Sequence, residues 1–550
     1  MAIVNFNKKT FEKEIGKINE KMEDKISMFG TPVERINEKE IRVEVFPNRP
    51  DLLSYHGFKR SFLAFLGKKT GIKKYKIKSP EKNYKVIINS SVRNVRPFTA
   101  CAIIKGLKLD DERIKEIIDI QEKLHVTIGR KRKKLAIGIY PLEKIKLPIT
   151  FKALKPSEIK FTPIDSEKEM SGLEILKKHS AGKEYAHLLK GKEKFPVFID
   201  SNSNILSMPP IINSRLTGKI TEKTRDVFLE CSGFDYDVLE KCTNILSTML
   251  SDMGGQIYQM EIKSTGKKKI SPNLNTEEMK ISIDNTNKLL GLNLNEKQIK
   301  NLTEKMGYNY KKPLTIEIPS WRMDILHEVD LIEDIAIAYG YENFVPEIPE
   351  ISTVGQEYSG ETIKRKISEI LIGINMLEVS NYHLTNEKNQ FGKMGIQKND
   401  FIELKESKTD YAILRKDLSH YMLKTLSENV DSEYPQKIFE IGKIFSLNEN
   451  GKITESESLA VAVSSGNFTE IRQVIEYLFK MINMKIKIEE AESQETPKYF
   501  IRGRVTKIIL DGKTIGFMGE IHPRILRKWK IKMPVALYEI SLEEVFGKLI

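Results

Sequence analysis

Within residues 1–80 the spacing of apolar positions changes twice. Ile15, Ile18, Met22 and Ile26 recur at helical intervals, which predicts one amphipathic helix from Phe11 to Met28, ended by Gly30-Thr31-Pro32. Ile41 to Val45 alternates apolar and charged side chains, the signature of a half-buried strand. Pro47-Asn48-Arg49-Pro50-Asp51 reads as a turn, because its prolines fix φ and remove donors. Asp51 is the expected N-cap of a helix reaching Leu66, and Lys68 to Lys78 reads as a solvated linker or edge.

Residues 85–270 mix both periods. Strands are expected at Ala100–Ile104, Leu135–Ile139 and Phe195–Asp200, and helices at Asp111–His125 and Tyr236–Asp252. Asn202 to Asn213, around Pro209-Pro210, reads as irregular, and Lys263 to Pro272 as a domain linker. Residues 273–347 predict a compact unit: a helix over Glu296–Met306, a strand over Leu314–Ile318, and a helix after Asp324 that stops at Gly340. Residues 350–550 alternate helices and strands, and no repeat of solenoid length is present.

Composition narrows the class. A chain of 550 residues predicts roughly three to five domains. Hydrophobic content of 40% and aromatic content of 8% suit several ordered cores. No apolar run is long enough for a membrane span, and Met1 to Lys9 lacks the apolar core of a secretory signal. Cys101, Cys231 and Cys242 have no metal-type spacing, so a reducing cytoplasm is expected. The net charge of +14 suits a polyanionic partner, but a solvated basic surface in a lysine-rich chain gives the same number.

Two constellations carry possible chemistry. Asp330, Glu333 and Asp334 fall on one helical face, with Asp324 just before it. Four carboxylates there could hold a hard cation; acidic residues in a helix's first turns are equally favoured by the macrodipole alone. The second is the basic run Gly129-Arg130-Lys131-Arg132-Lys133-Lys134, which could contact phosphate. No Ser-His-Asp arrangement stands out, and His125 is a lone helical histidine whose plainer reading is structural.

The order of several motifs resembles the β subunit of phenylalanyl-tRNA synthetase, of the archaeal/eukaryotic-cytosolic type. They are Val43 to Ser54 around Asn48-Arg49-Pro50-Asp51, Gln121 to His125 with the basic run, and Asp200 to Ser214 with Pro209-Pro210. Trp321 to Tyr341 follows, with Pro435 to Gly442 and Gly519 to Pro523 as weaker elements. The resemblance implies an α+β multidomain chain: a small N-terminal module (1–80), an editing domain (85–270), a magnesium-binding module (273–347) and a class II synthetase-like domain without working catalytic motifs (350–550). It implies an α subunit partner in a heterotetramer of two α and two β chains, tRNA(Phe) as substrate, ATP consumed by the whole complex, and Mg²⁺ on Asp324, Asp330, Glu333 and Asp334.

Tyrosine adds only a hydroxyl to phenylalanine, and an apolar pocket rejects such an addition by only about a hundredfold. The family therefore hydrolyses tyrosyl-tRNA(Phe) at a second site. By resemblance its pocket falls on Gln121, His125, Arg130, Asn202, Ser207, Pro209, Asn213, Glu230 and Ser232. Hydrolysis there is expected to use a positioned water and polarising hydrogen bonds. Departures from the family pattern are Glu230, Ser232 and Phe234 where Asp, Thr and Thr are usual, and Tyr140-Pro141 where His-Asp is usual. An assembly and tRNA-binding subunit with weakened or lost editing is the alternative. A free-standing hydrolase is disfavoured by the large domain over 350–550. Arg415 and Arg504 are expected to be structural or surface residues rather than ATP ligands.

Overall fold

The computed structural model describes residues 2–264, 266–350, 352–492 and 494–549. The chain divides into two compact units, Met1–Ile348 and Pro349–Ile550.

The first unit opens with an antiparallel sheet in which the Glu40–Val45 strand lies between Ala2–Asn7 and Val33–Ile36. Ile41, Val43 and Val45 turn inward at period two onto Phe6, Phe11, Phe58 and Phe62. The single helix expected over Phe11–Met28 is instead two, Lys8–Glu14 and Glu20–Met28. Gly16 sits at φ +152°, and Asn19 starts the second helix by accepting a hydrogen bond from the Met22 amide. Asp51 is not a cap either. It pairs with Arg49 through two 2.9 Å hydrogen bonds, and Ser54 caps the Tyr55–Phe65 helix.

Among the described residues, eleven strands join in the next sheet. Its spine is the Gln256–Ser264 strand, which runs parallel to Ile77–Lys78 and Lys85–Ile88 and antiparallel to Phe98–Lys105. Beyond Phe98–Lys105 come Val227–Gly233 and then Leu135–Pro141. The Tyr236–Asp252 helix covers Phe98–Lys105 and Val227–Gly233, burying Leu239, Leu246 and Leu250. Two regions expected to be irregular are ordered here. The supposed linker at Lys263–Pro272 is part of a hairpin, Gln256–Ser264 with Lys267–Ser271, because Met260 and Ile262 alternate inward between its polar residues. The segment Asn202–Asn213 contains strands Ile205–Met208 and Ile212–Asn213, joined across a cis Pro209–Pro210 bond.

Residues 277–343 complete the first unit: the Thr315–Ile318 strand lies between Glu277–Lys280 and Asn309–Lys311, backed by the helices Glu296–Lys305 and Glu328–Tyr339. Gly340, at φ +93°, ends the last helix. Arg60 ties these parts together. It donates to Asp252 at 2.8 Å and lies over the Trp321 ring at 4.4 Å.

The second unit is built on a sheet of seven strands among the described residues, with Gln436–Leu447, Ile453–Ser464 and Val535–Ser541 as consecutive neighbours. Period-two alternation feeds two cores. Phe439, Val461 and Tyr538 face one, with Ile367 and Ile475 from helices; Ile438, Ala460 and Leu537 face the other, with Met422 and Trp529.

Candidate functional site

A cavity of about 480 Å³ opens between the Asp111–Val126 helix, the strands Leu135–Pro141 and Val227–Gly233, and the Pro209–Asn213 turn. Its apolar wall is mostly isoleucine, including Ile114, Ile118, Ile137, Ile139 and Ile211. Gln121, His125, Pro209, Asn213 and Glu230 line it.

Glu230 is the chemically exceptional lining residue. It is 1% exposed on a strand buried along its whole length. Burial pushes its carboxyl up to about 8, against the pull of Arg96, Tyr140 and Ser232. At neutral pH it is therefore mostly the neutral acid. The Tyr140 hydroxyl lies 3.2 Å from Glu230 Oε1 and 3.3 Å from Asn213 Oδ1. One phenolic proton cannot serve both acceptors. With Glu230 protonated, the carboxyl donates to Tyr140 and Tyr140 donates to Asn213, so both contacts are satisfied. Gly138 is required beside them, because a Cβ there would collide with the Tyr140 hydroxyl and with Glu230.

His125 is committed to the frame. Its Nε2 accepts from the Ile137 amide at 2.9 Å, and Nδ1 faces Glu122 at 3.3 Å. Burial holds its pKa below the ordinary value despite Glu122, so the ring is neutral and has no lone pair left for a proton. Arg132 is also structural. It donates to the Ile211 carbonyl at 2.9 Å and to Glu122 at 2.7 Å, and stacks over Tyr185 at 4.5 Å. It thereby pins the proline turn that walls the cavity. The basic run contained this residue, but no sequence signal separated a clamp from a phosphate contact.

Four expected pocket residues do not line the cavity. Asn202 is exposed in the turn after the Phe195–Ile199 strand, where its amide donates to Asp200. Arg130 is exposed at the start of a left-handed turn over residues 130–132. Ser207 is buried in the strand beside the cavity, and Ser232 lies behind it, held by Arg96 through its Oγ and its carbonyl.

The four carboxylates of the 321–341 segment share a neighbourhood, but a guanidinium lies between two of them. Arg322 donates to both oxygens of Asp324 and, at 2.7 Å, to Asp334, which also accepts from Tyr308. Asp330 Oδ2 accepts from the Leu326 and His327 amides, completing a capping box on the Glu328–Tyr339 helix. Glu333 is raised by burial and then by Asp334, Asp330 and Asp324, which marks a local excess of negative charge. Among the described residues no three His, Cys, Asp or Glu side chains converge closely enough to hold an ion.

Comparisons with known proteins settle the family. Residues 91–248 match the B3/4 domain, 279–341 the tRNA synthetase B5 domain, and 345–542 the phenylalanyl tRNA synthetase beta chain CLM domain. The phenylalanine–tRNA ligase beta subunit of Archaeoglobus fulgidus is 36% identical over 99% of both chains. The chain belongs to the phenylalanine–tRNA ligase beta subunit family. It is thus an aminoacyl-tRNA synthetase subunit. The beta subunit of Methanocaldococcus jannaschii is 38% identical over 96% of both chains. A crystallised N-terminal fragment of the Pyrococcus horikoshii beta subunit, 36% identical, superposes with a TM-score of 0.59 over 62% of this chain and 99% of the fragment. The cavity, between residues 114 and 230, lies within the B3/4 match, and the carboxylate cluster lies within the B5 match. Among the described residues no helix is long and apolar enough to cross a membrane.

Proposed function

We propose that this chain works with an α subunit, as two α and two β chains, to attach phenylalanine to tRNA(Phe) at the expense of ATP, and that its B3/4 cavity hydrolyses tyrosyl-tRNA(Phe). The observation that carries the second part is a buried carboxyl, Glu230, facing an isoleucine-walled cavity with room for an aromatic side chain. Tyr140 takes up one oxygen of that carboxyl, but Glu230 Oε2 has no hydrogen-bond partner among the described residues. The phenol of a tyrosyl ester would donate to it, and a phenylalanyl ester would leave it unpaired, which is the larger source of discrimination. Hydrolysis would then fall to a water held in the cavity, since His125 has no free nitrogen to act as base.

Residues 350–550 are proposed as a class II-like scaffold without ATP chemistry, because Arg415 and Arg504 are each held by a glutamate. Arg415 is buried against Glu440 at 2.5 Å, and Arg504 pairs with Glu520 at 2.6 Å. The carboxylates do not fit a magnesium ion as they stand: Asp324, Asp330, Glu333 and Asp334 would hold one only if they drew together, Arg322 released Asp324 and Asp330 gave up the Leu326 and His327 amides.

The alternative, a subunit with weakened editing, is favoured by Tyr140, whose hydroxyl already occupies Glu230 Oε1. One experiment separates the readings. The complex with its α subunit is assayed for phenylalanine charging and for deacylation of preformed tyrosyl-tRNA(Phe), with wild type and Glu230→Leu. The expected result is charging that needs both chains, and deacylation slowed about 10- to 100-fold by the substitution, the cost of a lost hydrogen bond to the phenol. Normal charging without wild-type deacylation selects the alternative; no charging by the complex overturns the subunit reading.

A further inference from the structure

A second groove, of about 610 Å³, shares Pro210 with the cavity and is lined by Arg96, Lys133, Lys134, His187 and Phe234. No aspartate or glutamate is among its described lining residues. Arg96, at its base, is 2% exposed and among the described residues donates only to Ser232, at 3.1 Å from Nε and 2.6 Å from Nη2. Burial pulls its guanidinium down to about 10, and the sole carboxyl acting on it is Glu230, itself mostly protonated. A buried cation without a counter-ion is costly, and its pull on an anion is strong through a low-dielectric wall.

Phe234 supplies the other half of a recognition surface. Its ring is 51% exposed, although one face lies over the Arg96 guanidinium at 5.4 Å. An exposed ring beside lysines, with no acid on the lining, is the combination that stacks bases and tracks phosphates in single strands. The residue that departs from the family pattern by losing a hydroxyl therefore gains a stacking platform.

We propose that this groove binds one single-stranded nucleotide of RNA, its base on the open face of Phe234 and its phosphate facing Lys134, His187 and the Arg96 charge. The neighbouring cavity would receive the aminoacyl end, and that part of the inference rests on the editing reading. The groove's own chemistry does not.

The test titrates the complex of this chain with its α subunit with a short, uncharged single-stranded RNA, and follows tyrosyl-tRNA(Phe) hydrolysis in parallel. Phe234→Leu is expected to weaken RNA binding roughly 5- to 150-fold, the cost of one lost base stack, and Phe234→Trp to restore it. Lys134→Gln is expected to reduce the slope of log affinity against log salt by about 0.7. Both substitutions should raise KM for hydrolysis and leave kcat unchanged. Unchanged RNA affinity and KM in both Phe234→Leu and Lys134→Gln would overturn the proposal. Competition by free AMP as strong as by the strand would overturn it as a strand site and leave a mononucleotide site. The expected RNA losses in a complex that hydrolyses no tyrosyl ester would sustain the groove and sink the editing reading.

Discussion

Both units bury an arginine and a glutamate in or against a sheet, and they do so to opposite effect. In the second unit Arg415 and Glu440 meet at 2.5 Å, and Arg415 also donates to the Asn381 and Lys443 carbonyls. In the first unit Arg96 and Glu230 feel each other only at a distance, and each lines an open volume. A buried charge whose partner is in place holds a fold. One left without a partner is expensive, and it sits where a ligand can supply what is missing. Glu539 in the second unit, raised to about 7, does not blur the contrast, because it accepts from the Leu418 and Ser419 amides and from the Ser419 and Ser458 hydroxyls.

The largest expected difference comes from deleting the arginines. Arg415→Met should destabilise the second unit by about 3–5 kcal/mol, because Glu440 is stranded. Arg96→Met should stay within about 1–2 kcal/mol of wild type, because relief of an unpaired charge offsets the lost Ser232 bonds. Denaturant unfolding measures both, and equal losses would break the comparison.

Next comes pH. Glu230 is raised from 4.5 to about 8 on folding, so its contribution is full below pH 4.5 and lost as pH rises towards 8. The first unit should lose on the order of a few kcal/mol across that window, and Glu230→Gln should flatten the profile. A wild-type profile already flat between pH 5 and 9 would place Glu230 among ordinary ionised carboxylates.

Smaller still is His125→Phe, which strands the Ile137 amide and should cost about 1–3 kcal/mol. Because the ring is neutral in the folded protein, the substitution should leave the pH dependence of tyrosyl-ester hydrolysis between 6 and 8 unchanged; a shifted profile would assign it a proton-transfer role. Asn202→Ala should change stability and hydrolysis least, within about 0.5 kcal/mol, since the side chain is exposed outside the cavity.

Long periodic elements were legible from the chain alone. The Tyr236–Asp252 helix has the predicted ends, and the strands through Ala100–Ile104 and Leu135–Ile139 are in place. What failed was local competition. Gly16 and Asn19 broke a helix whose apolar spacing continued across them, and the lysines of 263–269 hid the turn and return strand of a hairpin whose buried Met260 and Ile262 lie just before them. The cavity was half legible. Gln121, His125, Pro209, Asn213 and Glu230 come together from segments carrying recognisable motifs. Arg96 carried no motif, and its importance comes from the absence of a partner, which only three dimensions reveal.

The parallel pairing of Ile77–Lys78 with the Gln256–Ser264 strand also sets a timetable. Lys78 and Tyr258 touch across 180 residues of chain. At about 5–20 residues per second of synthesis, the earlier strand waits on the order of 10–40 s for its mate to be made. During that interval the sheet holding the cavity has no spine. A nascent chain stalled before residue 256 should therefore expose Phe98–Lys105 on one edge, the state in which a chaperone would be needed most.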